Sequence, residues 1–372
     1  MLIENFKFNG KKMDEKMMNP RITRNYGLDL LKIIAMINII NLHINLKIKI
    51  YKINPHNLKF KSVYRLESFS FWPVNTFGLI SGIVGYKKYK FVNMIYLWFI
   101  YIFYSVIFSI ILYYKSKINR RDLILSFFPL AIKRNWYVNA YIFMYYFLPF
   151  VTNSINSINK IIYKKIVLHF VFIYSIYYTI IKSYIKNTNF NFIDEGYTSL
   201  WLLILYIIGG YLGKFCLHKA IFHNFFYFQL YLLTSIFTSE YMFYGIRKYN
   251  LQNPIFFSYN SPTIIIQALS LIIFFSNIKI NNKYLIKVIS FFYPLNFSVN
   301  IIHTRFFFSQ IQSSLKFFNF IKSLSSNKLF FKIYGISIIL YFICTFIDYI
   351  RSIIFKIFKI NYFCSYIEKI FF

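Results

Sequence analysis

One apolar stretch of the sequence, residues 24–43, carries three side chains that can do chemistry: Asp29, Lys32 and His43. Ionisable groups are rare in membrane-spanning helices and usually mark functional sites. Lys32 and His43 are 11 residues apart, which places them on one helix face, about 16 Å apart along the axis. Asp29 lies on nearly the same line, one turn below Lys32. The sequence therefore predicts a row of ionisable groups along one side of a membrane-spanning helix.

The row suggests a base at one end. A neutral imidazole in partly dry surroundings can take a proton from a hydroxyl and return it to a leaving group, so His43 is the candidate general base. The alternative is a histidine packed between helices and satisfied by a hydrogen bond. We group Asp29 with His43 as the candidate catalytic residues. Asp29 also has the spacing to pair with Lys32 and hold it in place.

The other end of the row suggests an anion site. Lys32 is near the predicted cytoplasmic end of the helix, where an ammonium can meet a phosphate entering from that side. Arg24 precedes the same helix, and we assign both cations to the binding of an anionic donor. Snorkelling of Lys32 to the lipid headgroups is the alternative.

The composition defines the class of protein. Of 372 residues, 58% are hydrophobic and 23% aromatic, which is typical of a polytopic membrane protein. The net charge of +32 comes from basic residues in short groups between apolar runs, so we expect contact with membrane lipids and no nucleic-acid binding. Cys216, Cys344 and Cys364 are scattered, so neither a disulfide framework nor a metal site is predicted.

Apolar runs recur along the whole chain and predict an all-α transmembrane helix bundle with about ten spans and no sizeable soluble domain. The predicted spans are 26–46, 68–86, 93–114, 136–152, 166–185, 199–213, 225–245, 262–276, 290–308 and 329–349. A short apolar piece at 123–132 predicts an interfacial helix, and 47–67 a polar loop.

The domain organisation follows from these spans. We predict a cytoplasmic N-terminal tail at 1–25, a transmembrane domain at 26–349 and a basic C-terminal tail at 350–372. The N-terminal tail contains six basic residues, which favours an inside N-terminus, cytoplasmic termini and a multi-pass protein of the plasma (inner) membrane.

Two further polar or small-residue patterns predict helix packing. Gly78, Gly82 and Gly85 in the second span permit close approach of a neighbouring helix. Asn38, Asn41 and Asn45 form a second polar line on the first helix, approximately opposite the ionisable row, and we interpret this line as structural packing.

Several motifs, in order along the chain, resemble the acyltransferase-3 family of integral membrane O-acyltransferases. They are Leu28-Asp-Leu-Leu31 with Lys32, ten intervening residues and His43, then Pro73-Val-Asn-Thr-Phe-Gly-Leu-Ile-Ser-Gly82, Asn135-Trp-Tyr-Val-Asn-Ala-Tyr141, Gly196-Tyr-Thr-Ser-Leu-Trp201 and Asn300-Ile-Ile-His303. The resemblance covers about Arg24 to Arg305. It departs from the family pattern at Lys32, where arginine is commoner, and at Thr76, where cysteine or phenylalanine is usual.

The resemblance implies an O-acetyltransferase that takes acyl-CoA, commonly acetyl-CoA, from the cytoplasmic side without a permanently bound cofactor. The implied acceptor is a hydroxyl of a cell-surface or lipid-linked glycan. His303 then has a site or gating role. The oligomeric state stays open.

Three other residues are predicted to bind substrate: Asn75, Ser81 and Trp136. Asn75 and Ser81 have hydrogen-bonding side chains that can reach a substrate, and the indole of Trp136 can stack on a sugar or on the donor. Each has a structural alternative. Interhelical hydrogen bonds account equally well for Asn75 and Ser81, and an interfacial belt position accounts for Trp136.

Two other function classes fit a chain of this kind. A transporter or flippase for a lipid-linked sugar would use the polar first helix to line a translocation path. A glycan polymerase also has many spans but typically relies on a large external loop, and no comparably long loop is visible in the sequence. Use of an acyl donor separates the first hypothesis from the transporter.

Overall fold

The computed structural model describes residues 24–47, 58–86, 89–132, 135–184, 193–217, 222–249, 256–307 and 324–371. The predicted N-terminal tail, apart from its last two residues, lies outside the described residues. The helices are α1 (Tyr26–Lys47), α2 (Leu58–Ser68), α3 (Pro73–Gly85), α4 (Phe91–Tyr114), α5 (Arg120–Leu125), α6 (Trp136–Ser157), α7 (Lys160–Val171), α8 (Tyr178–Tyr184), α9 (Ser199–Phe215), α10 (Asn224–Tyr249), α11 (Pro262–Ser276), α12 (Lys283–Phe292), α13 (Asn296–Ile302), α14 (Ser326–Ile357) and α15 (Ile360–Phe371).

The chain is an α-helical membrane protein, and no strand occurs in its described residues. Five of the described helical segments are long and apolar enough to cross a membrane: Tyr26–Leu46, Phe91–Tyr114, Lys160–Lys182, Lys283–Arg305 and Lys328–Ile357. Large apolar side chains such as Phe150 and Phe346 are more than 60% exposed. Because water does not tolerate a large apolar surface of this kind, these faces belong against lipid.

Helix α1 lies at the centre of the bundle and packs against α3, α11, α12, α13 and α14. Its start is fixed by Asn25, whose side-chain oxygen accepts a hydrogen bond from the backbone N–H of Leu28 and whose amide donates to the carbonyl of Ser276. Gly27 is required here, because a Cβ at this position would lie 1.9 Å from the carbonyl oxygen of Phe275. The start of α1 is thus locked to the end of α11.

Helices α3 and α9 approach each other through glycines on both sides. A Cβ at Gly82 would lie 2.0 Å from the carbonyl oxygen of Tyr206, and one at Gly209 would lie 2.1 Å from the carbonyl oxygen of Leu79. The predicted close approach at the small residues of the second span is confirmed. The sequence pattern did not identify α9 as the partner.

Two segments differ from their predicted structure. The predicted loop 47–67 contains α2, which packs against α10, where Lys61 and Arg65 both bind the carboxylate of Glu240. In place of the helix predicted at 123–132, the structure has the six-residue helix α5 (Arg120–Leu125), whose N-cap Asn119 accepts a hydrogen bond from the N–H of Asp122. The ion pairs between α2 and α10 account for the first difference, and the N-cap of α5 accounts for the second. Apolar periodicity in the sequence reports neither of them.

The predicted C-terminal tail is also helical in the structure. Helix α14 continues to Ile357, and α15 packs against α4, where the Glu368 carboxylate accepts a hydrogen bond from the N–H of Val92. Arg351 is buried and forms an ion pair with Asp348 one turn before it. The pairing of this arginine explains why residues after 349 stay within the helix bundle.

Candidate active site

The centre of the candidate site is a pair of histidines from α1 and from the turn that follows α13. Nδ1 of His43 lies 2.7 Å from Nε2 of His303, and the two rings stack with centroids 5.0 Å apart. His303 is fully buried, whereas His43 is partly exposed. Sequence reasoning singled out both residues, and the structure brings them together.

The hydrogen bonds of His303 define how hydrogens are arranged when both rings are neutral. Its Nδ1 lies 2.6 Å from the carbonyl oxygen of Val299, and since a carbonyl only accepts, this nitrogen carries the hydrogen. Nε2 of His303 is then an acceptor, and Nδ1 of His43 donates to it. The lone pair of His43 is consequently on Nε2, so in this tautomer Nε2 is the basic nitrogen of the ring.

The backbone changes its helical geometry at this point. Helix α13 ends at Ile302 and continues as a π-helical turn over His303–Phe307. π-Helical turns are rare in proteins, and those that occur are often found at functional sites. The turn also directs Thr304 towards Asn135, whose amide donates a hydrogen bond of 3.4 Å to the Thr304 hydroxyl. The next residue, Arg305, donates to the hydroxyl of Ser105 at 2.7 Å. Contacts with α4 and α6 therefore hold the histidine in place.

A second cluster lies at the other end of α1. The Asp29 carboxylate is buried and accepts from Nε of Arg24 at 2.7 Å and from Nζ of Lys32 at 3.0 Å. Both cations also lie over the ring of Tyr293, at 4.2 Å for Arg24 and 5.3 Å for Lys32. Two positive charges share one carboxylate, so this cluster carries a net positive charge.

Asp29 does not lie beside His43. Fourteen residues of one helix separate them, about 21 Å along the axis, and the carboxylate is bound to the two cations. The structure groups Asp29 with Arg24 and Lys32, and its catalytic role together with His43 stays a prediction. The pairing of Asp29 with Lys32 that its spacing suggested is confirmed.

One span lies along the whole ionisable face of α1. Tyr293 contacts the cations at one end, and His303, ten residues later, contacts His43 at the other. The shared face predicted for Lys32 and His43 is thus the face covered by this segment. Sequence reasoning missed Tyr293, for which the only signal is an aromatic residue seven positions, about two helical turns, before the motif Asn300-Ile-Ile-His303.

Asn75 and Ser81 are engaged with the protein itself. Asn75 is fully buried; its amide donates to the carbonyl of Tyr259 at 2.7 Å, and its oxygen accepts from Nε1 of Trp201 at 3.0 Å. Ser81 donates to the carbonyl of Phe77, one turn earlier in its own helix, at 2.8 Å, and its hydroxyl lies 3.5 Å from that of Tyr141 on α6. These bonds favour the structural alternative for both side chains, and their contact with substrate stays a prediction.

Trp136 is the first residue of α6 and is partly exposed. It stacks on Tyr259 with ring centroids 5.8 Å apart and meets Tyr197 edge-on at 4.7 Å. Its neighbour Asn135 makes the hydrogen bond to Thr304, the residue after His303. The sequence neighbours of Trp136 and His303 are therefore in contact, and Trp136 itself meets two tyrosines that sequence reasoning did not single out.

The asparagine line of α1 packs within the bundle. The Asn38 oxygen accepts from the hydroxyls of Ser70 and Tyr334, and the Asn41 amide donates to Ser70. Both polar atoms of Asn45 are buried with no hydrogen-bond partner among the described residues. The interpretation of Asn38 and Asn41 as structural packing is confirmed.

Within the described ranges, no group of three or more His, Cys, Asp or Glu side chains is arranged to hold a metal ion. The cations at Asp29 offer an anion site instead. No family profile, curated protein or solved structure matches this chain.

Proposed function

We propose that this protein is a membrane O-acyltransferase that moves an acyl group, preferably acetyl from acetyl-CoA, to a hydroxyl of a cell-surface or lipid-linked glycan. The observation that carries the proposal is the arrangement on α1: a hydrogen-bonded histidine pair and a net positive cluster lie on one helix face, about 16 Å apart. This is a length that the pantetheine arm of a CoA thioester can bridge. The motifs that resemble the acyltransferase-3 family support the same assignment.

In the proposed reaction, Arg24 and Lys32 bind the donor phosphates, which directs the thioester towards His43. Nε2 of His43 takes the proton of the acceptor hydroxyl as its oxygen attacks the thioester carbonyl. The intermediate collapses with loss of the C–S bond, and His43 returns the proton to the CoA sulfur. The products are an ester and free CoA thiol. His303 holds the imidazole of His43 in the tautomer that has its lone pair on Nε2.

We infer an orientation with Arg24 and Lys32 at the cytoplasmic side and ten crossings. The crossings comprise the five long apolar segments and α3, α6, α9, α10 and α11. The basic N-terminal segment supports cytoplasmic termini in the plasma (inner) membrane. Reporter fusions after residues 86 and 217 should behave as cytoplasmic, and a fusion after residue 132 as external; a cytoplasmic signal at residue 132 would refute this topology.

The decisive experiment measures donor use. Purified full-length protein in detergent, given acetyl-CoA labelled in the acetyl group, should hydrolyse it slowly and transfer the label to added glycan. His43→Ala should abolish transfer, since general-base catalysis contributes about 100-fold or more. His169→Ala, an exposed histidine of α7, is the matched control and should retain full activity. Normal transfer by the His43→Ala protein would end the proposal.

The transporter alternative makes the opposite prediction for the donor, because a transporter neither hydrolyses acetyl-CoA nor transfers its label. The described asparagine contacts do not favour a translocation path, since Asn38 and Asn41 bind Ser70 and Tyr334 within the bundle. Mass spectrometry of surface glycan from wild-type and deletion strains tests the proposal in cells. Equal acetyl content in the two strains would contradict it.

A further inference from the structure

Four aromatic rings from four separate parts of the chain meet near the histidine pair. Trp136 stacks on Tyr259, Tyr197 meets both rings at 4.7 and 4.9 Å, and Phe71 stacks under Tyr259 at 4.7 Å. Phe71 and Tyr259 are buried, whereas Tyr197 is 38% exposed and Trp136 is partly exposed. The cluster, called here the aromatic platform, thus has a buried floor and two accessible rings.

The turn that presents Tyr197 is held in an unfavourable backbone conformation. Asp194, Glu195 and Gly196 have φ angles of 40°, 56° and 92°, a left-handed region that side-chain-bearing residues rarely adopt. Two contacts of Glu195 hold the turn: its carboxylate pairs with Lys182, and its carbonyl accepts from the N–H of Tyr259. Strained turns that the surrounding structure over-determines cluster at ligand sites.

Gly196 is required for the contact between the two tyrosines. Besides its positive φ, a Cβ at this position would lie 2.6 Å from Cβ of Tyr259. The turn and the loop that carries Tyr259 are therefore fitted to each other at close range. Such a fit is more than a residue needs to anchor a helix at the lipid surface, where aromatic side chains act singly.

One hydrogen bond between sequence neighbours connects the platform to the histidine pair. Asn135 precedes Trp136 and donates to the hydroxyl of Thr304, which follows His303. The apolar face of an indole, with the amide of Asn135 and the hydroxyl of Thr304 nearby in the chain, matches a pyranose ring, which has C–H faces and a rim of hydroxyls.

We propose that the aromatic platform of Phe71, Trp136, Tyr197 and Tyr259 is the acceptor subsite and binds a pyranose ring by stacking on Trp136, with Tyr197 in contact at the side of the sugar. This inference rests on the proposed function for the identity of the reaction. The hydroxyls of a sugar ring stacked there are directed towards Asn135 and Thr304, and Thr304 is the residue after His303. The acceptor class is thereby narrowed to sugars with an accessible C–H face.

The test measures sugar binding without turnover. The probes are methyl β-D-glucopyranoside and methyl β-D-galactopyranoside, titrated against full-length protein in detergent and followed by saturation-transfer NMR. Wild-type protein should transfer magnetisation mainly to the C–H protons of one ring face, in a saturable manner. Trp136→Ala should raise the dissociation constant at least about tenfold. Tyr197→Ala, at an exposed position, should do the same and serves if the tryptophan variant does not fold.

Trp98 provides the matched control, because it is a 39% exposed tryptophan on α4 outside the platform. Trp98→Ala should bind both glycosides like the wild type. Equal dissociation constants for the wild type, Trp136→Ala and Tyr197→Ala would overturn the proposal and leave Trp136 as a membrane anchor. Absence of saturable transfer to either glycoside would overturn it as well.

The same variants separate this inference from the proposed function. If the platform is the acceptor subsite, Trp136→Ala loses transfer to glycan but still hydrolyses acetyl-CoA. Glycoside binding by a protein that never uses acetyl-CoA would refute acyl transfer and retain the platform. Unchanged transfer by Trp136→Ala and Tyr197→Ala would refute the platform and retain acyl transfer.

Discussion

His43 and His303 share a single hydrogen between two ring nitrogens 2.7 Å apart, although 260 residues separate them in the chain. The carbonyl of Val299 fixes the hydrogen on the far side of His303. In the proposed reaction, His303 would orient His43 as a carboxylate orients the histidine of a catalytic triad.

This relationship predicts how His303 variants behave. His303→Ala should lower kcat about 10- to 100-fold and leave the KM for acetyl-CoA unchanged, because His43 loses its orienting partner while the donor site is intact. His303→Gln, whose oxygen can still accept from His43, should recover part of the rate. Initial-rate kinetics over a range of acetyl-CoA concentrations provide the measurement. A raised KM with normal kcat would mean that His303 binds the donor instead.

The cation cluster predicts the opposite kinetic pattern. Lys32→Ala should raise the KM for acetyl-CoA about tenfold with little change in kcat, because a phosphate contact is lost at a distance from the reaction centre. Lys32→Arg should retain binding, and high salt should weaken donor binding to the wild type more than to Lys32→Ala. Lys287→Ala, an exposed lysine of α12, controls for general surface charge. Equal KM values for the two alanine variants would contradict a donor contact at Lys32.

Asn75 and Ser81 should differ in their effect on stability. Asn75→Ala leaves the buried Trp201 indole N–H and the Tyr259 carbonyl without their partner, and each orphaned group costs about 1–3 kcal/mol. Ser81→Ala removes a bond within one helix and a long contact of 3.5 Å with the hydroxyl of Tyr141, and it should cost less than the about 1 kcal/mol of a typical hydrogen bond. Thermal unfolding in detergent, followed by size-exclusion chromatography, compares the two. A stable Asn75→Ala protein with impaired acceptor binding would favour direct substrate contact.

Glycine substitutions test the α3–α9 contact. Gly82→Ala places a Cβ 2.0 Å from a backbone oxygen of α9, where only movement of a whole helix relieves the clash. We expect little or no folded protein. Gly335→Ala in α14 has nothing within 4 Å and should be neutral or stabilise by up to about 1 kcal/mol, since alanine favours helix. Fluorescence-detected chromatography of tagged variants gives the yield, and equal yields for the two would contradict the close contact.

The buried pair Asp348–Arg351 should be costly to break but replaceable. Asp348 also accepts from the hydroxyl of Tyr104 at 2.7 Å, and Arg351 donates to that of Tyr96 at 2.9 Å, so the pair joins α14 to α4. Asp348→Leu alone leaves a buried cation and should destabilise by about 3–5 kcal/mol. The double variant with Arg351→Met should recover most of the loss, because no charge then stays unpaired. Thermal unfolding of single and double variants measures this coupling, and a double variant no more stable than the single would exclude it.

The amino-acid sequence determined those features that local periodicity encodes. Apolar runs marked a membrane protein, and the 3.6-residue repeat placed Lys32 and His43 on one face of α1. The spacing of Asp29 and Lys32 indicated an ion pair, and the glycines of α3 indicated a close helix contact. Each of these depends on residues within a few turns of one another, so no knowledge of the rest of the fold was needed.

The tertiary structure decided which distant groups complete those features. His303 and Tyr293 face α1 because the segment Lys283–Arg305 packs against it. Asn75 forms hydrogen bonds with Trp201 and Tyr259, which lie more than a hundred residues away in the sequence. The residues after 349 read as a basic tail, yet Arg351 is buried because Asp348 neutralises it. Sequence periodicity reports which side of a helix is polar, but the free energy of a buried polar group depends on the partner that folding brings to it.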